Sequence, residues 1–132
     1  MMELTIEIKI RYDEVDKMGY VYHGNYAKYF HISRTELLRG IGLCDKTLED
    51  INILLPVIEM NIRYLKPVFY DDVISIKTTL TKYTPLKMFF EHQVFNKENQ
   101  IVNRSTSTVV MVNATNRKPI RMPEFMHKKI EA

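Results

Sequence analysis

Residues 4 to 40 read LTIEIKIRYDEVDKMGYVYHGNYAKYFHISRTELLRG, and the hydrophobic period changes within them. Over residues 4 to 12, Leu4, Ile6, Ile8, Ile10 and Tyr12 share one parity, while Thr5, Glu7, Lys9 and Arg11 take the other. A period of two is that of a strand with one wet face. From Asn25 to about Gly40, Tyr26, Tyr29, Phe30, Ser33, Leu37 and Ile41 recur every three or four residues, and Lys28, Arg34 and Arg39 fall elsewhere. That spacing predicts a helix with one buried stripe, ended by Gly40 and Gly42. Between strand and helix lies a connector, DKMGYVYHGNY, with more polar chemistry than a simple link requires.

Outward from this stretch, CDKTLEDI at residues 44 to 51 predicts a short helical turn capped by Asp45. Pro56 then precedes a second strand, on which Ile58, Met60, Ile62 and Tyr64 share a face. Beyond Pro67, Ile74, Ile76, Thr78 and Leu80 mark a third strand, Phe90, His92 and Val94 a fourth, and residues 101 to 112 a fifth. NKENQ between the last two is a hairpin loop, and the tail after Pro123 predicts a short helix. A strand, a long helix and four closely connected strands imply an α+β fold, with a mostly antiparallel sheet packed on one helix. A hotdog, a five-stranded antiparallel sheet wrapped around one long central helix, has this shape, and other α+β arrangements fit the same string.

The chain of 132 residues is about one domain, so residues 1–132 are read as a single unit. Its 45% hydrophobic and 27% charged residues exclude a disordered, solvating chain. The net charge is +3, but Lys and Arg are interspersed with 16 acidic residues, and no basic run tracks a phosphate backbone. Nucleic acid is therefore not an expected partner. Cys44 is the only cysteine, which rules out an intrachain disulfide framework and a thiolate zinc site and suits a reducing cytosol. The N-terminus shows no basic head followed by an apolar core, and no apolar stretch has bilayer length, so a cytoplasmic protein is expected.

Within the connector, Asp16 is either a turn residue accepting nearby amides or a carboxylate acting as nucleophile or general base. His23 sits near the helix N-terminus, where peptide amides lack intrahelical partners. Gly19 and Gly24 flank it, either for positive φ or to let a ligand approach the backbone. Tyr12 ends the core parity of the first strand, so its ring is expected to pack with its hydroxyl toward the connector. A carboxylate, an imidazole, a phenol and free helix amides at one point are suited to adding water to a carbonyl while stabilising the oxyanion. Elsewhere His31 reads as a surface residue, His127 as part of the tail, and His92 as a hydrogen-bonded core residue. The chain has neither metal-ligand His spacing nor a GxSxG elbow, phosphate loop or dinucleotide fingerprint, so no metal and no cofactor are expected. Met60, Met88 and Met111 read as core filler that can also line an acyl tunnel.

The run RYDEVDKMGYVYHGNYAKYFHISRTELLR, residues 11 to 39, resembles the signature of hotdog-fold acyl-CoA thioesterases of the 4-hydroxybenzoyl-CoA thioesterase type, including their Tol-Pal-associated branch. Tyr12, Asp16, His23, Asn25 and Tyr26 fill its places, Arg34, Thr35 and Glu36 continue it, and IRYLKPVFYDDVISI at residues 62 to 76 resembles the family's second strand, turn and third strand. Lys17, Met18 and Gly19 depart from the small residues, often Ala-Gly-Gly, that follow the acid in many relatives. The resemblance implies hydrolysis of an acyl-CoA or acyl-carrier-protein thioester without a cofactor. It makes Asp16 the base or nucleophile, has His23 orient the carbonyl or the carboxylate, and lets Tyr12 hold the network. Substrate contacts would come from Gly19, Val21, Tyr22, Gly24, Asn25 and Tyr26, with Lys82 and Lys87 as the cations offered to the carrier phosphates. It also implies a homodimer or homotetramer with sites at subunit interfaces. The alternative is a hotdog protein that binds an acyl thioester without cleaving it.

Overall fold

A computed structural model describes residues 2–132. The helix-period stretch forms α1, Asn25–Arg39, followed by α2, Asp45–Asp50, and the tail carries α3, Glu124–Glu131. The strands are β1 Met2–Lys9, β2 Ile53–Leu54, β3 Val57–Tyr64, β4 Val73–Tyr83, β5 Lys87–Phe95, β6 Ile101–Val110 and β7 Val112–Asn113. Five of them make one antiparallel sheet in the order β1-β4-β5-β6-β3, while β2 and β7 form a separate two-stranded ladder. The sheet curves around α1, the hotdog arrangement that the pattern allows and the resemblance implies.

Alternation decides which face turns inward. On β4, the longest strand, Ile74, Ile76, Thr78 and Leu80 are all buried, and their neighbours across the ladders include Ile6, Val94, His92 and Phe90. Burying each large apolar side chain contributes roughly 1.5–3 kcal/mol. The edge strands are only half covered: Leu4 of β1 and Val57 and Ile58 of β3 remain exposed.

The buried apolar residues form two clusters, one around Tyr26, Tyr29, Phe30 and Val94, the other around Leu37, Leu48, Met88 and Met126. A polar layer separates them. Ser33 Oγ lies 2.5 Å from Thr78 Oγ1, which lies 2.8 Å from His92 Nδ1; His92 Nε2 lies 2.9 Å from Ser107 Oγ, to which Arg34 Nη1 donates at 3.1 Å. The His92 ring also stacks on Phe30 at 4.5 Å. His92 is therefore the hydrogen-bonded core histidine expected. Burial, then the Arg34 charge, pushes its pKa down to about 3, so the ring is neutral at physiological pH.

The structure corrects several local readings. Arg34, placed off the buried stripe by periodicity, is 5% exposed, because Ser107 opposite it supplies a polar seat. Asp45 does not cap α2; Cys44 occupies that position, without a side-chain cap bond. The first strand ends at Lys9 rather than Tyr12, and the last run divides into β6 and β7 at Met111.

Candidate active site

After Lys9 the chain leaves β1. The Ile10 amide donates to the Asp72 carbonyl at 2.8 Å, and the Asp71 amide to the Ile10 carbonyl at 3.0 Å. A 3-10 turn, Tyr12–Glu14, follows, closed by the Glu14 amide on the Arg11 carbonyl and by the Arg11 amide on Glu14 Oε1 at 2.8 Å. A tight hairpin then carries Asp16 at its tip: the Asp16 amide donates to the Tyr20 carbonyl at 2.8 Å and the Gly19 amide to the Asp16 carbonyl at 3.0 Å. Gly19 has φ +82, a conformation that a Cβ would strain. The returning limb bridges to the turn between β3 and β4, with Tyr20 opposite Phe69 and the Val21 amide donating to the Val68 carbonyl at 2.8 Å. This stitching fixes Asp16 beside the end of β3.

Asp16 Oδ1 accepts the Met18 amide at 2.9 Å, so it is a turn residue; its Oδ2 has no hydrogen-bond partner among the described residues. Asp16 also lines an open cavity of about 290 Å³ with Val21, His23 and Tyr26, and with Tyr64 and Lys66 from the end of β3 and the turn after it. The His23 ring packs on Tyr22 at 4.4 Å and meets Tyr64 edge-on at 6.3 Å, while Tyr64 Oη donates to the His23 carbonyl at 3.2 Å. Tyr26 lies 5.5 Å from the Tyr64 ring, and burial, then Tyr64, pushes its pKa up to about 12. Its phenol therefore stays protonated at neutral pH. At the start of α1 the Asn25 and Tyr26 amides are spent on the Tyr22 and His23 carbonyls; among the described residues those of His23 and Gly24 donate to nothing. Unpaired amides at a helix N-terminus, reinforced by its dipole, favour negative charge.

The structure thus brings Asp16, Val21, His23 and Tyr26 to one cavity. Gly19 shapes the loop behind it. Gly24 has φ −64, so positive φ is not its reason; a Cβ there would lie 2.7 Å from the Tyr22 ring. Tyr22 is exposed and covers that glycine, and Asn25 turns away to donate to the Glu14 carbonyl at 2.8 Å. Tyr12 does not pack: it is 79% exposed, edge-on to Tyr70 at 5.6 Å, because the 3-10 turn begins there and breaks the strand parity. Lys82 and Lys87 flank the turn between β4 and β5, while the cavity lies by the start of β4 at Val73. At about 3.3 Å per residue, β4 puts them roughly 30 Å away within the subunit. The lining cation is Lys66, which the sequence pattern did not single out although it stands in the 62–76 stretch just before Pro67. Tyr64, read as sharing a strand face with Ile58, Met60 and Ile62, lines the cavity.

Residues 10–130 match the family model described as Thioesterase-like superfamily. The YneP protein of Bacillus subtilis is 32% identical over 115 residues, 87% of this chain and 83% of that protein. The acyl-CoA thioester hydrolase YbgC of Escherichia coli is 28% identical over 117 residues, 89% of this chain and 87% of its own length. Among solved structures, a DHNA-CoA thioesterase from Staphylococcus aureus superposes with a TM-score of 0.92 at 30% identity, over 99% of this chain and 92% of that one. With the family match spanning the connector, α1, β3 and the turn after it, which together build the cavity, this chain belongs to the Thioesterase-like superfamily.

Proposed function

We propose that this protein hydrolyses acyl-CoA thioesters, acyl-S-CoA and water giving a carboxylic acid and free CoA, at the Asp16–His23 cavity. The observation that carries the reading is the placement of a carboxylate with one free oxygen in the same cavity as the start of α1. Asp16 Oδ2 takes a proton from water, which adds to the carbonyl carbon. The unpaired amides near His23 and Gly24 and the helix dipole stabilise the oxyanion that forms. Its collapse breaks the C–S bond, and the leaving thiolate takes the proton held by Asp16, which restores the carboxylate. His23 orients the carbonyl, the Tyr26 phenol donates within the pocket, and Lys66 offers a cation to the carrier phosphates. The chemistry needs no cofactor, since a thioester is already activated. Among the described residues no helix is long and apolar enough to cross a membrane, and Cys44 is a free thiol; the reading places the enzyme in the cytoplasm.

Thiol release from short, long and aromatic acyl-CoAs, and from an acyl carrier protein loaded with the best of these groups, tests the activity. Turnover on at least one acyl-CoA is the expected result. Binding of acyl-CoA with no thiol released would instead identify an acyl-thioester-binding protein.

The same reading makes the protein a homodimer at least. Strand β3 is an edge of the sheet with Val57 and Ile58 exposed, and around the cavity mouth Met18, Tyr64 and Phe69 are exposed as well. An open edge with apolar side chains is a template for pairing. Sedimentation equilibrium is expected to return twice or four times the 15.7 kDa chain mass. A monomer at assay concentration would count against it.

A further inference from the structure

We infer that Glu14 is a positioning residue for Asp16, acting through an ion pair with Lys28 that clamps the connector onto the first turns of α1. The inference rests on the reading of Asp16 given above. Glu14 lies two residues before Asp16 in a connector otherwise largely open to solvent, yet it is 5% exposed. A buried carboxylate is costly unless every oxygen is engaged, and here both are. Oε1 accepts the Arg11 amide at 2.8 Å and Oε2 accepts Lys28 Nζ at 2.5 Å. Its carbonyl is engaged twice more, by the Tyr22 amide at 2.9 Å and by Asn25 Nδ2 at 2.8 Å. One residue therefore ties together the 3-10 turn before Asp16, the limb returning after it, and both ends of the first turn of α1.

What this clamp controls follows from the chain path. The Asp16 hairpin leaves Glu14 at one limb and returns at Tyr22, so the Glu14–Tyr22 hydrogen bond and the Val15–Val21 bridge are its base. His23 and Gly24 follow Tyr22 directly. The base thus sets the separation between the carboxylate and the helix amides on which the proposed chemistry depends. The charge state agrees with this role. Burial alone would raise the Glu14 pKa, but the Lys28 hydrogen bond, the Arg11 amide and the Lys28 charge outweigh it and leave it lowered. Glu14 is ionised at neutral pH and faces the wholly buried Tyr29 hydroxyl, whose pKa is raised by burial and then by this carboxylate.

The test compares Glu14→Gln, Lys28→Met, Lys28→Arg and Asp16→Asn on the acyl-CoA that the wild type cleaves best, with a thermal melt for each. Glu14→Gln and Lys28→Met are expected to lower kcat by about ten- to a hundredfold with KM within about threefold, because displacing a reacting group by an ångström has effects of that size. Lys28→Arg restores the charge and is expected to return kcat to within about threefold of wild type. The Glu14→Gln, Lys28→Met double variant is expected to be no slower than the slower single one, as for two halves of one contact. Folded variants whose kcat stays within about twofold of wild type while only their melting temperatures fall would show that the clamp serves stability alone, and would overturn the inference. Should Glu14→Gln fail to fold, the Lys28→Met and Lys28→Arg pair decides the matter, since Lys28 is half exposed. An inactive Asp16→Asn beside a fully active Glu14→Gln removes the clamp and leaves the Asp16 reading standing. An Asp16→Asn variant as fast as wild type overturns both.

Discussion

Asp16→Asn is expected to lower kcat for acyl-CoA hydrolysis by about 10²–10⁴-fold, the usual contribution of a positioned general base. The substitution nearly preserves volume. Its amide oxygen can still accept the Met18 amide that Asp16 Oδ1 accepts at 2.9 Å, so the hairpin and its Gly19 turn have no reason to open. What is lost is the second oxygen, Oδ2, as a proton acceptor. Circular dichroism and melting temperature should therefore stay near wild type while thiol release falls, and KM should change little if the loss lies in the transition state. Were Asp16 only a turn residue, the loss would appear in the melt instead, with turnover retained. The two roles coexist in this side chain through different oxygens, so the rate and stability measurements must be made on the same preparation.

The second large effect is on stability in acid. His92 is wholly buried, and its pKa in the fold is pushed down to about 3, against about 6.5 for an unperturbed histidine. Between those values the unfolded chain binds a proton that the folded one does not. Stability from this residue is therefore complete above pH 6.5 and declines as pH falls toward 3, by about 1.4 kcal/mol per pH unit and roughly 5 kcal/mol at most. The physical cause is the polar layer itself. Protonation would place a charge between the two apolar clusters, beside Arg34, whose own pKa is lowered to about 10 by burial despite the nearby Asp45. Urea unfolding at pH 7 and pH 5 is expected to show the midpoint falling in acid, with His92→Gln flattening the dependence because an amide can serve Thr78 and Ser107 without titrating. Glu14 adds little to the comparison: with its pKa lowered in the fold, its contribution is lost from the ordinary carboxylate value of 4.5 downward, mostly below the pH 5 point. Equal slopes in wild type and His92→Gln would remove His92 as the source.

The polar layer also shows how far a pattern can be read. Ser33 sits on the predicted buried stripe of α1, and Thr78 and His92 on the predicted inner rows of β4 and β5, so each was placed facing inward. That they meet one another was not legible, because Ser33 and Thr78 are 45 residues apart and Arg34 and Ser107 are 73 apart. Arg34 shows the cost of treating side chains as simply apolar or polar. Its burial depends on a serine supplied by another strand, and the period of α1 carries no information about that serine.

At the candidate site the division is similar. The connector's position between strand and helix, its turn at Gly19, and the presence of Asp16 and His23 near the start of α1 follow from local chemistry: a change of period, a glycine free to take positive φ, and polar residues where backbone amides are unpaired. These are short-range properties, and the sequence by itself determined them, together with the order of the helices and the five long strands and the antiparallel sheet that short connections require; the short β2–β7 ladder, which joins segments about 60 residues apart, was not among them. The tertiary structure alone decided which side chains stand around Asp16. It turned Tyr12 out to solvent, brought Tyr64 at the end of β3 and Lys66 just after it to line the cavity, set Lys82 and Lys87 at the other end of β4, and buried Glu14 beneath the loop it braces. The reason is physical: the backbone conformation of each segment responds to its nearest neighbours in sequence, whereas a cavity wall or a buried ion pair is made by contacts between segments that only the packed sheet and helix bring into reach.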